Sequence, residues 1–218
     1  MQSFGQTVWL LLLLAVCGYA IWQLLRAGGG ERPSSLNMEA FHACDLPELS
    51  VRRLERDDFA LCHRLFDDLQ SAGLSPPGHD DSFSEWLTDP KVAKWMICSQ
   101  GRPVACCGLS HDGPGVCSLS FGLMELEERG RGLGSLSLAL RLWMVIADGP
   151  AVVTMCATHH SSTFYSRFGF VELPQDRLPE ADRDEDLHYL GIILEPGDVH
   201  VLRHYLTAQL GSSPEEIS

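Results

Sequence analysis

Residues 127–135 read EERGRGLGS. A run that alternates like a strand comes before them, and a long apolar run that reads as a helix (132–147) comes after. Gly130, Gly132 and Gly134 let backbone amides approach a ligand closely. The helix start behind them has unpaired N–H groups and the positive end of the helix dipole. Together these features form a site for a pyrophosphate. A tight strand–helix connection is the plainer alternative. No Gly-Lys-Ser/Thr follows, so the loop is not a P-loop. The spacing GxGxG after a meander is also a poor dinucleotide fingerprint.

Outward from this loop, strand and helix patterns alternate. Residues 49–52 alternate as a first strand. Asp57 is placed to cap a helix whose apolar positions are Phe59, Cys62, Leu65, Phe66 and Leu69, stopped at Gly73. A short helical turn is expected over 83–87, and strands over 92–99, 104–111 and 116–126, the first two joined by Gly101-Arg102-Pro103. After the long helix come a Val-rich strand (151–157), a short helix (161–168), a strand (170–173), a last strand (187–194) and a helix (199–210). The order predicts an α+β fold with a mostly antiparallel sheet and one strand–helix–strand unit.

The segment Arg129-Gly130-Arg131-Gly132-Leu133-Gly134 resembles the R/Q-x-x-G-x-G/A signature of the GNAT superfamily, the acetyl-CoA-dependent N-acetyltransferases. Residues 164–170 (FYSRFGF) are similar to that family's FYxK/RxGF segment, and the first strand with Asp57 resembles its usual opening. The resemblance spans roughly 49–196. Thr158 departs from it, since many members have Asn there.

The resemblance implies a mixed, mostly antiparallel sheet flanked by helices, with acetyl-CoA as co-substrate. The amides of Arg129, Gly130, Arg131, Gly132, Leu133 and Gly134, with Ser135, would hold the CoA pyrophosphate, and the two arginines would add charge. Leu123 and Met124 would pair with the pantetheine arm beside a bulge that splays two strands apart. The Met124 N–H would polarise the thioester carbonyl. Thr158 would contact pantetheine, and Arg167 would meet a CoA phosphate or pack. The acceptor amine would attack directly, and Tyr165 would protonate the departing thiolate, a task suited to a phenol. Glu125 and Glu127 are candidate general bases, with His111, Asp112 and Glu172 behind them. Strand alternation puts Leu123, Glu125 and Glu127 on one face. A non-catalytic acyl-CoA-binding module tethered to a membrane is the alternative function.

The chain has 218 residues, a net charge of −13 and eight cysteines. Such acidity disfavours nucleic acid, which requires clustered Lys and Arg. Residues 176–186 (DRLPEADRDED) form an acidic stretch between the last two expected strands and suit a cationic amine. The cysteines show no CxxC or paired metal spacing and read as small buried hydrophobes of a reducing compartment. Adjacent His159 and His160 have no evident cluster around them, so no metal is expected.

No charged side chain precedes Arg26. Residues 7–25 (TVWLLLLLAVCGYAIWQLL) would span roughly 28 Å as a helix, close to a ~30 Å hydrocarbon core. Trp9, Tyr19 and Trp22 stand where interfacial aromatics belong, and Arg26 and Arg32 follow the span. The expected plan is a transmembrane anchor (1–26), a flexible linker (27–46), a domain (47–210) on the cytoplasmic side and a frayed tail (211–218).

Overall fold

The computed structural model describes residues 36–74, 80–146, 151–173 and 187–216. The expected membrane span, residues 27–35 of the expected linker, the acidic stretch 176–186 and the last two residues lie outside them. Among the described residues no helix is long and apolar enough to cross a membrane.

Seven strands form one sheet: β1 (Leu49–Arg53), β2 (Val92–Ser99), β3 (Arg102–Gly113), β4 (Val116–Met124), β5 (Ala151–Thr158), β6 (Val171–Glu172) and β7 (Leu187–Leu194), in the order β1-β2-β3-β4-β5-β7-β6. All neighbours are antiparallel except β4 and β5, which run parallel. The parallel pair needs a crossover, which the long apolar helix α3 (Leu133–Ile146) supplies. The other helices are α1 (Phe59–Ser71), α2 (Asp80–Thr88), α4 (His159–Ser166) and α5 (Asp198–Leu210).

The period of two divides the central strands between two cores. Trp95 and Ile97 of β2, with Ala105 and Cys107 of β3, join the cluster under α3 and α5. Met96, Cys98 and Cys106 join the cluster under α1 and α2. Both faces are covered there, so these strands are apolar throughout. α1 buries Cys62, Leu65, Phe66 and Leu69, the stripe expected from the sequence. α3 is buried nearly all round because α5 covers its outer side.

Several expectations need correction. Asp57 does not cap α1. A 3-10 turn (Arg56–Asp58) leads into that helix, and the next residue, Asp58, organises it. Asp58 accepts two hydrogen bonds from Arg52 at 2.7 Å and one from the Glu55 amide at 2.9 Å. β4 ends at Met124 rather than at 126, where a 3-10 turn (Leu126–Glu128) takes over. α4 begins at His159, two residues early, because Thr158 caps it.

Residues 36–46 were expected to belong to a flexible linker, yet they form a fixed strap. Leu36, Phe41 and Leu46 are buried in the α3 core. The Asn37 amide donates to the Phe168 carbonyl at 3.0 Å, and the Cys44 amide to Gln209 Oε1 at 2.7 Å. The Tyr205 hydroxyl donates to the His42 carbonyl at 2.7 Å. The expected tail is also ordered in part: Pro214–Glu216 form a 3-10 turn, and Glu215 pairs with Arg203 at 3.0 Å.

Candidate functional site

β4 and β5 pair only from Val116↔Val152 to Leu119↔Met155. Beyond that pair β4 bulges. Cys106 faces Leu123 and Gly108 faces Ser120, so Phe121 and Gly122 stand opposite the single residue Cys107. Phe121 adopts a left-handed φ of 37°, and its ring is held among Phe66, Phe83 and Trp86 at centroid distances of 6.2, 5.1 and 5.2 Å. The bulge swings the rest of β4 away from β5. The result is a gap between Ser120–Met124 and Cys156–Thr158 whose apex is the Leu119–Met155 pair.

The orientation of β4 follows from its hydrogen bonds. The Glu125 amide donates to the Val104 carbonyl at 3.0 Å. By alternation the Met124 N–H and C=O turn away from β3, toward the gap. The Leu123 side chain enters the α1–α2 core and that of Met124 the α3 core.

Residues 129–135 lie at the open end of this gap. Gly132 has φ 82°, and a Cβ there would lie 2.3 Å from the Ala43 carbonyl oxygen, so only glycine fits under the strap. The Asp45 amide closes the strap onto the loop by donating to the Arg131 carbonyl at 2.8 Å. α3 starts directly behind, and the amides of Leu133, Gly134 and Ser135 in its first turn have no partner within the helix.

The two loop arginines separate. The Arg131 guanidinium turns to Glu128 at 2.7 Å. Arg129 is exposed and forms no ion pair among the described residues. Arg102 binds both Glu125 and, at 2.9 Å, Glu128. These pairs border a cleft of about 350 Å³ between α1 (Leu61, Arg64, Leu65, Asp68) and the end of β4 (Glu125, Glu127, Glu128). Glu125 and Glu127 share this cleft, on the Leu123 side of the sheet. Arg102 already holds Glu125, whereas Glu127 is exposed and has no ion pair among the described residues.

On the β5 side, Thr158 accepts from the Ser161 amide at 3.3 Å, so its hydroxyl serves the start of α4. Tyr165 of α4 is 8% exposed and belongs to the same apolar cluster as Ala157 of β5 and Met124 of β4. Its ring meets Phe164 at 4.9 Å and Phe170 at 5.8 Å, and its hydroxyl makes no hydrogen bond within the described residues. Arg167 stacks over Phe164 at 5.3 Å, a packing contact. Ser135 is buried.

His159 is less isolated than the sequence suggests. It lies 3.4 Å from His188 Nε2, and His188 Nδ1 lies 3.0 Å from Glu172. Among the described residues no group of three or more His, Cys, Asp or Glu gathers as a metal site. Cys156 is exposed rather than buried, because no described helix covers that face of β5. The bulge that the resemblance implies beside Leu123 and Met124 falls at Phe121-Gly122, marked locally only by its glycine. One feature escaped the sequence reading. Arg141, 2% exposed in α3, was hidden in an otherwise apolar run.

No family model and no curated protein matches the chain. Solved structures do. An acetyltransferase from Streptococcus agalactiae aligns over 67% of this chain and 99% of its own, at 15% identity and a TM-score of 0.57. An acetyltransferase of the GNAT family from Staphylococcus aureus aligns over 66% and 98%, at 13% identity and 0.54. N-acetylglutamate synthase from Neisseria gonorrhoeae, complexed with coenzyme A and N-acetyl-glutamate, aligns over 67% of this chain but 35% of its own, at 18% identity and 0.53. With a bulged β4 parting from a parallel β5 and a glycine loop opening the crossover helix, the chain has the fold of the GNAT acetyltransferases.

Proposed function

We propose that the domain transfers an acyl group from a CoA thioester, acetyl-CoA in the simplest case, to a primary amine within a ternary complex. The observation that carries this reading is the joint placement of the β4–β5 gap and residues 129–135 at its open end. The loop amides and the α3 dipole meet the diphosphate, with Arg129 as the outward charge. Pantetheine then lies along the gap and pairs with β4 through Met124.

The Met124 N–H polarises the thioester carbonyl. The amine enters from the acidic cleft on the α1 side, where Glu127 takes its proton. The amine nitrogen bonds to the carbonyl carbon, the carbon–sulfur bond breaks, the thiolate receives the Tyr165 proton, and the proton that the new amide nitrogen sheds restores the phenol. The cleft carboxylates and the net charge of −13 favour a cationic acceptor. Residues 7–25 tether the enzyme to a membrane with the domain on the cytoplasmic side, where acyl-CoA is available.

A thermal-shift titration of the full chain with acetyl-CoA tests the first step. Saturation near 100 Kd should add ~2.7 kcal/mol of stability. Mass spectrometry of an amine panel tests the second, by gain of one acetyl group. No shift overturns the reading. A shift without any product leaves a binding module in its place.

A further inference from the structure

Arg141 stands on α3, eight residues after Leu133, in a helix that is otherwise apolar or small. It is 2% exposed, and its Nε donates to the Ser137 carbonyl at 3.2 Å. No carboxylate pairs with it among the described residues. A guanidinium carries five donors, and burying one without an anion is costly. The neighbouring Cys107 thiol does not supply that anion, because burial raises its pKa against the pull of the Arg141 charge.

The terminal nitrogens of Arg141 are not sealed in. Among the described residues, the buried side-chain atoms without a partner are the indole nitrogens of Trp95 and Trp143, and the terminal nitrogens of Arg141 are not among them. The Arg141 head therefore touches open space. That space lies at Gly122, which is exposed. A Cβ there would come within 3.2 Å of Arg141 Nη2 and 3.6 Å of Nη1, so a residue with a side chain would cover the guanidinium. Gly122 belongs to the bulge that opens the gap. An unpaired, buried cation thus faces the deep end of the β4–β5 gap.

We infer that Arg141 binds a carboxylate at the end of the acyl chain, so that the preferred donor is the CoA thioester of a short dicarboxylic acid. This rests on the proposed acyl transfer from CoA. A CoA with its diphosphate at residues 129–135 enters from the open end, and its acyl chain points past Met124 toward the apex. Gly122 lies two residues deeper, roughly 7 Å along the strand. A malonyl or succinyl chain reaches that far with the addition of an N–H···O contact of ~2.8 Å. The planar fork of a guanidinium suits the two carboxylate oxygens. An acceptor carboxylate fits less well, because the acceptor cleft lies on the α1 side of β4 and Arg141 on the α3 side.

The test is calorimetric titration of the full chain with CoA, acetyl-CoA, malonyl-CoA and succinyl-CoA. One of the dicarboxylic thioesters should bind at least tenfold more tightly than acetyl-CoA. Arg141→Met should erase that preference while CoA affinity stays within twofold, and Arg141→Lys should retain part of it. The ligand ranking on the unaltered chain decides the matter even if a variant fails to fold. A second arm titrates the acetyl-CoA-loaded chain with glycine and with methylamine. A carboxylate preference in that arm alone overturns the donor assignment and moves the anion to the acceptor. Equal binding of all acyl-CoAs overturns the inference and leaves the proposed function intact. Failure of CoA itself to bind removes both.

Discussion

At the scale of single residues, Tyr165 has the sharpest role to test. It sits in the cluster that joins the two gap walls, and its hydroxyl is not committed to any described partner. Tyr165→Phe removes one oxygen and keeps the ring that meets Phe164 and Phe170. Acyl transfer should fall by about 10²-fold or more in kcat, with the Kd for CoA unchanged. A loss confined to CoA affinity would make the ring a packing element only. Asp58 illustrates the opposite situation, a polar residue whose role is structural. The Arg52 guanidinium, and then the Glu55 amide, hold its carboxyl below the ordinary carboxylate range against the effect of burial. A depressed folded pKa stabilises above the unfolded pKa and is lost as pH falls through the folded value. Arg52 is partly exposed, so the effect is modest. Asp58→Asn should cost about 1–2 kcal/mol in urea unfolding at pH 7. The difference between the two proteins should close as pH falls below about 4, since the unaltered aspartate then protonates as well.

At the scale of elements, the strap 36–46 ties the fold to the site. Phe41 meets Phe168 at 4.5 Å and Tyr205 at 5.4 Å, and four residues later the Asp45 amide holds the Arg131 carbonyl. Phe41→Ala should cost about 3–5 kcal/mol by leaving an aromatic-sized void. It should also weaken CoA binding, measured by titration on the folded fraction, because the loop loses its cover. Unchanged CoA affinity would show that residues 129–135 hold their shape without the strap. The strap was not legible in the sequence. Glycine and serine upstream read as a tether, and Leu36, Phe41 and Leu46 are too widely spaced to show a period. α1 was legible because burial on one face imposes a period of 3.6, while β2 and β3, covered on both faces, read as short apolar runs bounded by turn signals. Boundaries shifted where a local hydrogen bond outweighed the pattern, as Thr158 did at α4. The loop was legible as a strand–helix connection because its glycines stand directly before a helical run, and Gly130 and Gly132 take positive φ there. The gap was legible only through the resemblance, since its width is set by a pairing that stops at Leu119↔Met155, a long-range event with no local mark. Arg141 was lost for the same reason: in sequence it is one charge in a helix, and only the sheet shows what it faces.

At the scale of the molecule, the acidity falls in the domain and in its stretch 176–186, while residues before Arg26 have no charged side chain. In the proposed reaction the two substrates would meet different fields. An anionic CoA would approach a negative protein and be received by a local loop with Arg129, and a cationic amine would be drawn by the whole. Raising salt from 0.02 to about 0.5 M shortens the Debye length several-fold. It should lower kcat/KM for a polyamine while leaving the Kd for CoA flat or improved. Glu127→Gln should weaken this salt dependence and reduce turnover most at lower pH, where fewer acceptor amines are unprotonated. An acceptor whose kcat/KM is insensitive to salt would argue for a neutral amine. On the proposed tethering the leading segment would have a separate task. An apolar stretch of this length followed by arginine would partition into lipid with that side inward. The full chain should stay with membranes after alkaline carbonate extraction. Deleting residues 7–25 should release it with acyl transfer retained, because the strap that completes the loop begins at Leu36, well after the span. If the release also abolished CoA binding, the anchor and the site would be one structural unit. If the full chain left the membrane in carbonate, the leading segment would have to be covered by protein instead of lipid.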